Sequence, residues 1–157
     1  MNSNRRTLLK GTLAASAVSV AASAGLLAPR AVLAAGWPAP AFSAKGVDAS
    51  LTELYGSGNA VDAKDIKIKA PDIAENGAVV PVTVSSTIAN AESISIFVAK
   101  NPSPLTSTYA LGSGTEAYIG TRIKMGKTSD VVAVVKAGGK LYSAKKEVKV
   151  TIGGCGG

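Results

Sequence analysis

From Ala63 onward, apolar and polar residues alternate with a period of two, and this pattern restricts the chain to half-buried strands. Ile66, Ile68 and Ala70 alternate with Lys67 and Lys69. Glu75-Asn76-Gly77 is a turn signal, and Ala78 to Ser85 is the next expected strand. Pro81 within it has no amide to donate, which predicts an edge position or a bulge. Ser93 to Ala99 follows, with Ile94, Ile96 and Val98 on one face, and Asn101-Pro102-Ser103-Pro104 ends it. Thr108 to Leu111, Glu116 to Met125, Val131 to Lys136 and Leu141 to Ile152 complete the series, the last two joined through a Gly138-Gly139 hairpin turn. In the final strand Val148, Val150 and Ile152 face one way and Glu147, Lys149 and Thr151 the other.

About seven short strands separated by turns predict an all-β fold, an antiparallel β-sandwich of immunoglobulin-like type. The chain holds a single cysteine, so the inter-sheet disulfide of antibody domains is absent. Ahead of the strands, Trp37 to Lys45 reads as an extended lead-in. Ser50-Leu51-Thr52-Glu53 has the spacing of a capping box, predicting a short helix with Leu51, Leu54 and Tyr55 on its apolar face. Gly56-Ser57-Gly58-Asn59 stops that helix.

Residues 1–35 are set aside as a targeting segment. Asn4-Arg5-Arg6-Thr7-Leu8-Leu9-Lys10 is a basic stretch with paired arginines, followed by an uncharged Ala/Ser/Val/Leu run from Gly11 and small residues at Ala34 and Ala35. The arginine pair places it with the twin-arginine signals, which are read by a receptor. The competing reading is a membrane anchor, but the run from Gly11 to Ala28 is only weakly hydrophobic. The expectation is export to the periplasm, with no membrane contact after cleavage. Four basic residues and no acid lie in this segment, so the formal +7 of the whole chain falls to +3. With few aromatics and no arginine-rich helix, the remainder is not expected to bind nucleic acid.

The domain is therefore expected over residues 36–152, and 153–157 form a separate feature: Gly153-Gly154-Cys155-Gly156-Gly157. Four glycines around one thiol have little to pack and much backbone entropy to lose, which predicts a mobile arm. Fully extended, it carries the sulfur about 10 Å beyond Ile152. In an oxidising compartment a lone cysteine is left for intermolecular pairing, a covalent adduct, or a free thiol.

The sequence contains no histidine, which removes Ser-His-Asp and Cys-His catalysis and most zinc sites. There is no C-x-x-C pair and no phosphate loop; Gly112-Ser113-Gly114 is a plain loop, and Asp62, Asp65, Asp72 and Glu75 read as a solvated rim. No cofactor, metal site or catalytic residue is expected. Lys124, Lys127, Lys136, Lys140, Lys145, Lys146 and Lys149, with Arg122, crowd the last third of the chain. They form either an ordinary solvated face or a positive field that favours anionic adducts or an acidic partner. Without a neighbouring base Cys155 is ill-equipped to catalyse, since an unperturbed thiol is only a few per cent ionised at neutral pH. It is suited to being acted upon, which points to a covalent carrier.

The terminal pentapeptide, the paired arginines and the stretch Ile73-Ala74-Glu75-Asn76-Gly77-Ala78-Val79-Val80-Pro81-Val82 together resemble the SoxY family, the sulfur carriers of bacterial sulfur oxidation. The resemblance implies that Cys155 bears thiosulfate-derived adducts while Gly153, Gly154, Gly156 and Gly157 act as a swinging arm. It implies a heterodimer with a SoxZ-like subunit. It also implies transient contacts with a c-type cytochrome thiosulfate-coupling complex, a thiosulfohydrolase and a sulfane dehydrogenase. Two other readings are a ubiquitin-like thiocarboxylate carrier using Gly157, disfavoured by the export signal, and an exported structural sandwich cross-linked through Cys155.

Overall fold

The computed structural model describes residues 36–151; the expected signal, Ile152 and the Cys155 segment lie outside them. The chain divides into two units, Met1–Trp37 and Pro38–Gly157, and every element below belongs to the second. Two helices, α1 (Ala39–Ser43) and α2 (Val47–Tyr55), precede the strands. These are β1 (Val61–Asp62), β2 (Ile66–Lys69), β3 (Ile73–Ala74), β4 (Val80–Ser86), β5 (Ala91–Val98), β6 (Leu105–Ala110), β7 (Tyr118–Ile123), β8 (Ser129–Ala137) and β9 (Lys140–Val150). One sheet has the order β1-β9-β8-β5-β6, with β3 also paired to β9; the other is β2-β4-β7. The framework is the antiparallel, immunoglobulin-like sandwich that the alternation predicts.

Between the sheets, Val80, Val82 and Val84 of β4 meet Ile94, Ile96 and Val98 of β5 and Val131, Ala133, Val135 and Val148 of β8 and β9. Every second residue of these strands points inward, so the period-two pattern becomes one continuous apolar layer. The β8–β9 turn carries Gly138 and Gly139 at φ 55° and 73°, the doubly positive geometry that a two-residue hairpin needs and glycine supplies without strain. Pro81 lies on β4 opposite Arg122 of β7, but β2 covers only Thr83–Ser86 of that strand. Pro81 is thus at a locally open edge, where its missing amide breaks no β2 ladder.

Two local expectations are corrected. Trp37 to Lys45 is not wholly extended, because α1 forms within it. Pro40 at the second helical position has a φ already suited to a first turn, and the Ala41 amide reaches the Pro38 carbonyl at 3.1 Å. Ser50 is not a helix cap. α2 begins three residues earlier, after Gly46 at φ 97°, and the Ser50 hydroxyl bonds back to the Gly46 carbonyl at 3.0 Å. The earlier start adds Val47 to the apolar stripe of Leu51, Leu54 and Tyr55, and burial of that longer stripe outweighs a side-chain cap. Gly56 ends α2 in the left-handed conformation, as expected.

The helices cover the outer face of the larger sheet, so β5 is buried on both faces. Phe97 joins Ala41, Leu51, Leu105, Val134 and Leu141 in a second apolar cluster. Beside it the Tyr55 hydroxyl lies 2.7 Å from that of fully buried Ser95, which in turn donates to Thr108 at 2.7 Å. This chain of hydroxyls satisfies a polar group that has no access to water. Phe97→Ala should cost about 3–5 kcal/mol in chemical denaturation, the range for emptying a buried aromatic site. A loss under about 1 kcal/mol would show that the helix pair stands outside the cooperative core.

Candidate functional site

Neither Cys155 nor its four flanking glycines lies within the described residues, so the geometry available is that of the base from which they continue. That base is the end of β9. In a strand, successive amides point to opposite edges. Lys149 donates to the Asp72 carbonyl at 2.9 Å, Val150 to the Thr128 hydroxyl at 3.0 Å, and Thr151 to the Ala74 carbonyl at 3.1 Å. The strand is therefore held on both edges up to the last described residue. On its inner face Val148 is fully buried.

One of those edges is supplied by β3, which runs parallel to β9 with Ile73 opposite Lys149 and Ala74 opposite Val150. β1 also runs parallel to β9, at Tyr142 and Ser143. These short parallel pairs depart from an otherwise antiparallel framework. After β3 the chain turns through Asn76, whose side chain accepts the Ala78 amide at 2.9 Å. Gly77 then passes against the Met125 backbone, accepting the Met125 amide at 2.6 Å. A Cβ on Gly77 would overlap the Met125 carbonyl and sit 2.8 Å from Val150 Cγ1, so only glycine allows the turn, the β7–β8 loop and β9 to close together. On the other side, Asn101 donates to the Lys124 carbonyl at 2.8 Å and accepts the Gly126 amide at 3.1 Å. The Lys100 amide reaches the Ser129 hydroxyl at 2.9 Å.

The Ile73–Val82 stretch, which reads in sequence as a turn and a strand, is thus the buttress of the final strand. Sequence alone singles out none of Asp72, Gly77, Asn101 and Thr128 in that role. The Asn-Gly signal marks the turn correctly, but nothing local to it indicates that Ile73 and Ala74 pair with a strand more than seventy positions later.

Two lysines of the last third are ion-paired. Lys136 pairs with Glu92 at 2.9 Å at the far end of the sandwich, and Lys146 pairs with Asp72 at 3.0 Å. The Lys136 ammonium, hydrogen-bonded to Glu92, holds that carboxyl below the usual carboxylate range; the same bond raises Lys136. These are the ion pairs found among the described residues. Lys100, Lys124, Lys127 and Lys149 are exposed at the end where β9 stops. Asp62 and Asp65 lie well away from Asp72 and Glu75, so the four do not form one site: Asp62 accepts the Ser143 hydroxyl, and Asp65 that of Thr87. No group of three or more Cys, Asp or Glu side chains among the described residues is placed to hold a metal. No helix there is long and apolar enough to cross a membrane.

A family model described as sulfur oxidation protein SoxY matches residues 51–155. Among solved structures, the chain is similar to the sulfur carrier protein SoxY from Chlorobium limicola f thiosulfatophilum at 45% identity and TM-score 0.63, over 68% of this chain and 97% of that one. A superoxide reductase (neelaredoxin) from Ignicoccus hospitalis aligns at 20% identity and TM-score 0.49, over 55% of this chain and 79% of that one. No curated protein matches significantly.

Gly77→Ala should destabilise the fold by about 1–3 kcal/mol through overpacking and speed amide exchange at Lys149 and Thr151. Gly120→Ala, with open space around its Cβ, should stay within about 0.5 kcal/mol of the parent. Equal effects of the two, or unchanged exchange at Thr151, would contradict the buttress.

Proposed function

The chain belongs to the SoxY family of sulfur-oxidation carriers, and from that premise we propose that it holds thiosulfate-derived groups covalently on Cys155 and presents them to enzymes in the periplasm. The observation that carries this reading is joint. The family match runs through position 155, and the strand leading to it is hydrogen-bonded on both edges as far as Thr151. A thiol carrier needs a firm base and a reactive group beyond it, and the sandwich supplies the first.

In the proposed cycle the Cys155 thiolate joins the outer sulfur of thiosulfate, forming a sulfur–sulfur bond and releasing two electrons to a c-type cytochrome complex. A thiosulfohydrolase then adds water to the terminal sulfonate. Sulfate and two protons leave, and a persulfide anion stays on Cys155 for a sulfane dehydrogenase. The carrier itself is not the catalyst. It has no histidine to act as a base and relies on its partners for both electron acceptor and hydrolase. A SoxZ-like subunit is proposed as its stable partner. Export through the twin-arginine route is supported by Arg5-Arg6 within the basic leader. The four glycines 153, 154, 156 and 157 keep bulk away from the sulfur, so the segment can enter a narrow cleft.

Cys155→Ser should abolish thiosulfate-dependent reduction of the cytochrome partner and leave the melting temperature unchanged. Preserved turnover would refute the role of Cys155. Gly154→Trp or Gly156→Trp should slow loading at least about tenfold without loss of stability, since bulk beside the sulfur removes the productive approach. Unaltered kinetics would mean that the cleft is not narrow.

A further inference from the structure

Three loops and a strand end converge where the 152–157 segment departs. Asn101 ties the Lys124–Gly126 backbone beside Lys100, and Lys100 reaches Ser129. Thr128 in turn receives the Val150 amide, which fixes Lys149 at the same place. Hydrogen bonds thereby gather Lys100, Lys124, Lys127 and Lys149 around one end of the sandwich, all exposed. The acids of this end are Asp72, already engaged by Lys146, Glu75 on the β3–β4 turn, and Asp130 with Glu147 facing each other across β8 and β9. At the opposite end Glu92, Glu116 and Asp65 line or border the loops, with Lys64 and Lys140 between them, and Lys136 is neutralised by Glu92. Lys45 joins the near end, its ammonium donating to the Pro102 carbonyl at 3.0 Å. With Lys146 and Asp72 cancelling, Lys45, Lys100, Lys124, Lys127 and Lys149 face Glu75, Asp130 and Glu147 there, whereas the three cations and three acids of the opposite end balance, so the positive excess lies where the segment leaves.

Apolar surface accompanies it. Ile73, opposite Lys149 on β3, is 57% exposed, and Val79 beyond the same turn is 52% exposed. Exposed branched aliphatic side chains flanking a firmly held strand end gain nothing from solvent; they offer short-range grip to a docked surface. Four covalent steps beyond Thr151 place the Cys155 sulfur no more than about 14 Å away. At that distance exposed charges are largely screened, since the Debye length is ~8–10 Å at physiological ionic strength, so the lysines act on the rim that meets this face directly and not on groups deep in the cleft.

We propose that this end of the sandwich is the docking face for the acidic rim of an enzyme cleft, with Lys100, Lys124, Lys127 and Lys149 steering the encounter and Ile73 and Val79 sealing it. The inference rests on the carrier reading and adds the chemistry of the receiving surface. Its kinetic signature differs from that of a residue in the thiol chemistry. Steering charges alter association and its salt dependence, with gains of about 10–10³-fold in rate at low salt, and leave intrinsic thiol reactivity untouched.

The test compares the full chain with Lys124→Glu/Lys127→Glu/Lys149→Glu, with the milder triple change to Gln, and with a far-end control, Lys64→Glu/Lys67→Glu/Lys140→Glu. The second-order rate of thiosulfate loading by the cytochrome coupling enzyme is measured at ~20 mM and ~300 mM salt, beside iodoacetamide alkylation of Cys155. Melting curves check folding. The docking-end reversal should slow loading about tenfold or more at low salt, with the gap shrinking to about twofold at high salt. The Gln variant should fall between, and alkylation and the far-end control should match wild type. Loading of the reversed variant at the wild-type rate, or equal losses in the control, would overturn the docking face alone. A wild-type chain that is never loaded would overturn the carrier reading and the docking face with it.

Discussion

The two-edged hydrogen bonding of β9 is the constraint on which the rest of this structure depends. β9 is the central member of its end of the sheet: β8 flanks it on one side and the short parallel strands β1 and β3 on the other. Had the chain ended its sheet on β9, a row of free amides would lie beside the exit of the 152–157 segment, and the last residues would fray as unpaired strand ends do. Asp72, Ala74 and Thr128 prevent this by accepting the amides of residues 149, 151 and 150 in turn. Gly77 and Met125 then lock β3 against the core. Each of these groups is remote from Cys155 in sequence, yet each helps to hold the strand that leads toward it as far as Thr151.

The second organising fact is the double burial of β5. Its inner face builds the inter-sheet core and its outer face, through Ser95 and Phe97, carries the helix pair. Most of the sandwich is therefore one packed body, and a close-packed interior of low compressibility resists local deformation. A carrier benefits from such a base, because a partner enzyme then meets a surface of fixed shape. The hydroxyl chain from Tyr55 through Ser95 to Thr108 fixes α2 in register on this face without leaving a buried polar group unpaired.

Much of this is legible in the sequence, for identifiable reasons. The alternation of Val80, Val82, Val84 and of Ile94, Ile96, Val98 reports a physical period, so the long strands and their inward faces can be read directly. Gly138-Gly139 discloses its hairpin because positive φ at two consecutive positions excludes most residues. The parallel strands β1 and β3 are not legible: two residues carry no period, and their partner β9 lies far along the chain. The start of α2 is misjudged from sequence because Ser50 and Glu53 imitate a cap, while the deciding factor, burial of Val47 beneath the same cluster as Leu51, is tertiary. Cys155 stands out by composition alone, whereas its buttress can be recognised only once strand pairing brings Asp72, Gly77 and Thr128 to one place.

The central claim is that Cys155 is a covalent handle for sulfur on a rigid β-sandwich. Its most direct test is intact-mass and peptide-level mass spectrometry of the protein purified after growth on thiosulfate, with Cys155→Ser in parallel. The account predicts sulfur or thiosulfonate additions confined to the Cys155 peptide and absent from the variant. A chain found only as a disulfide-linked dimer under every growth condition, or one modified at the Gly157 carboxylate in a cysteine-free variant, would contradict it.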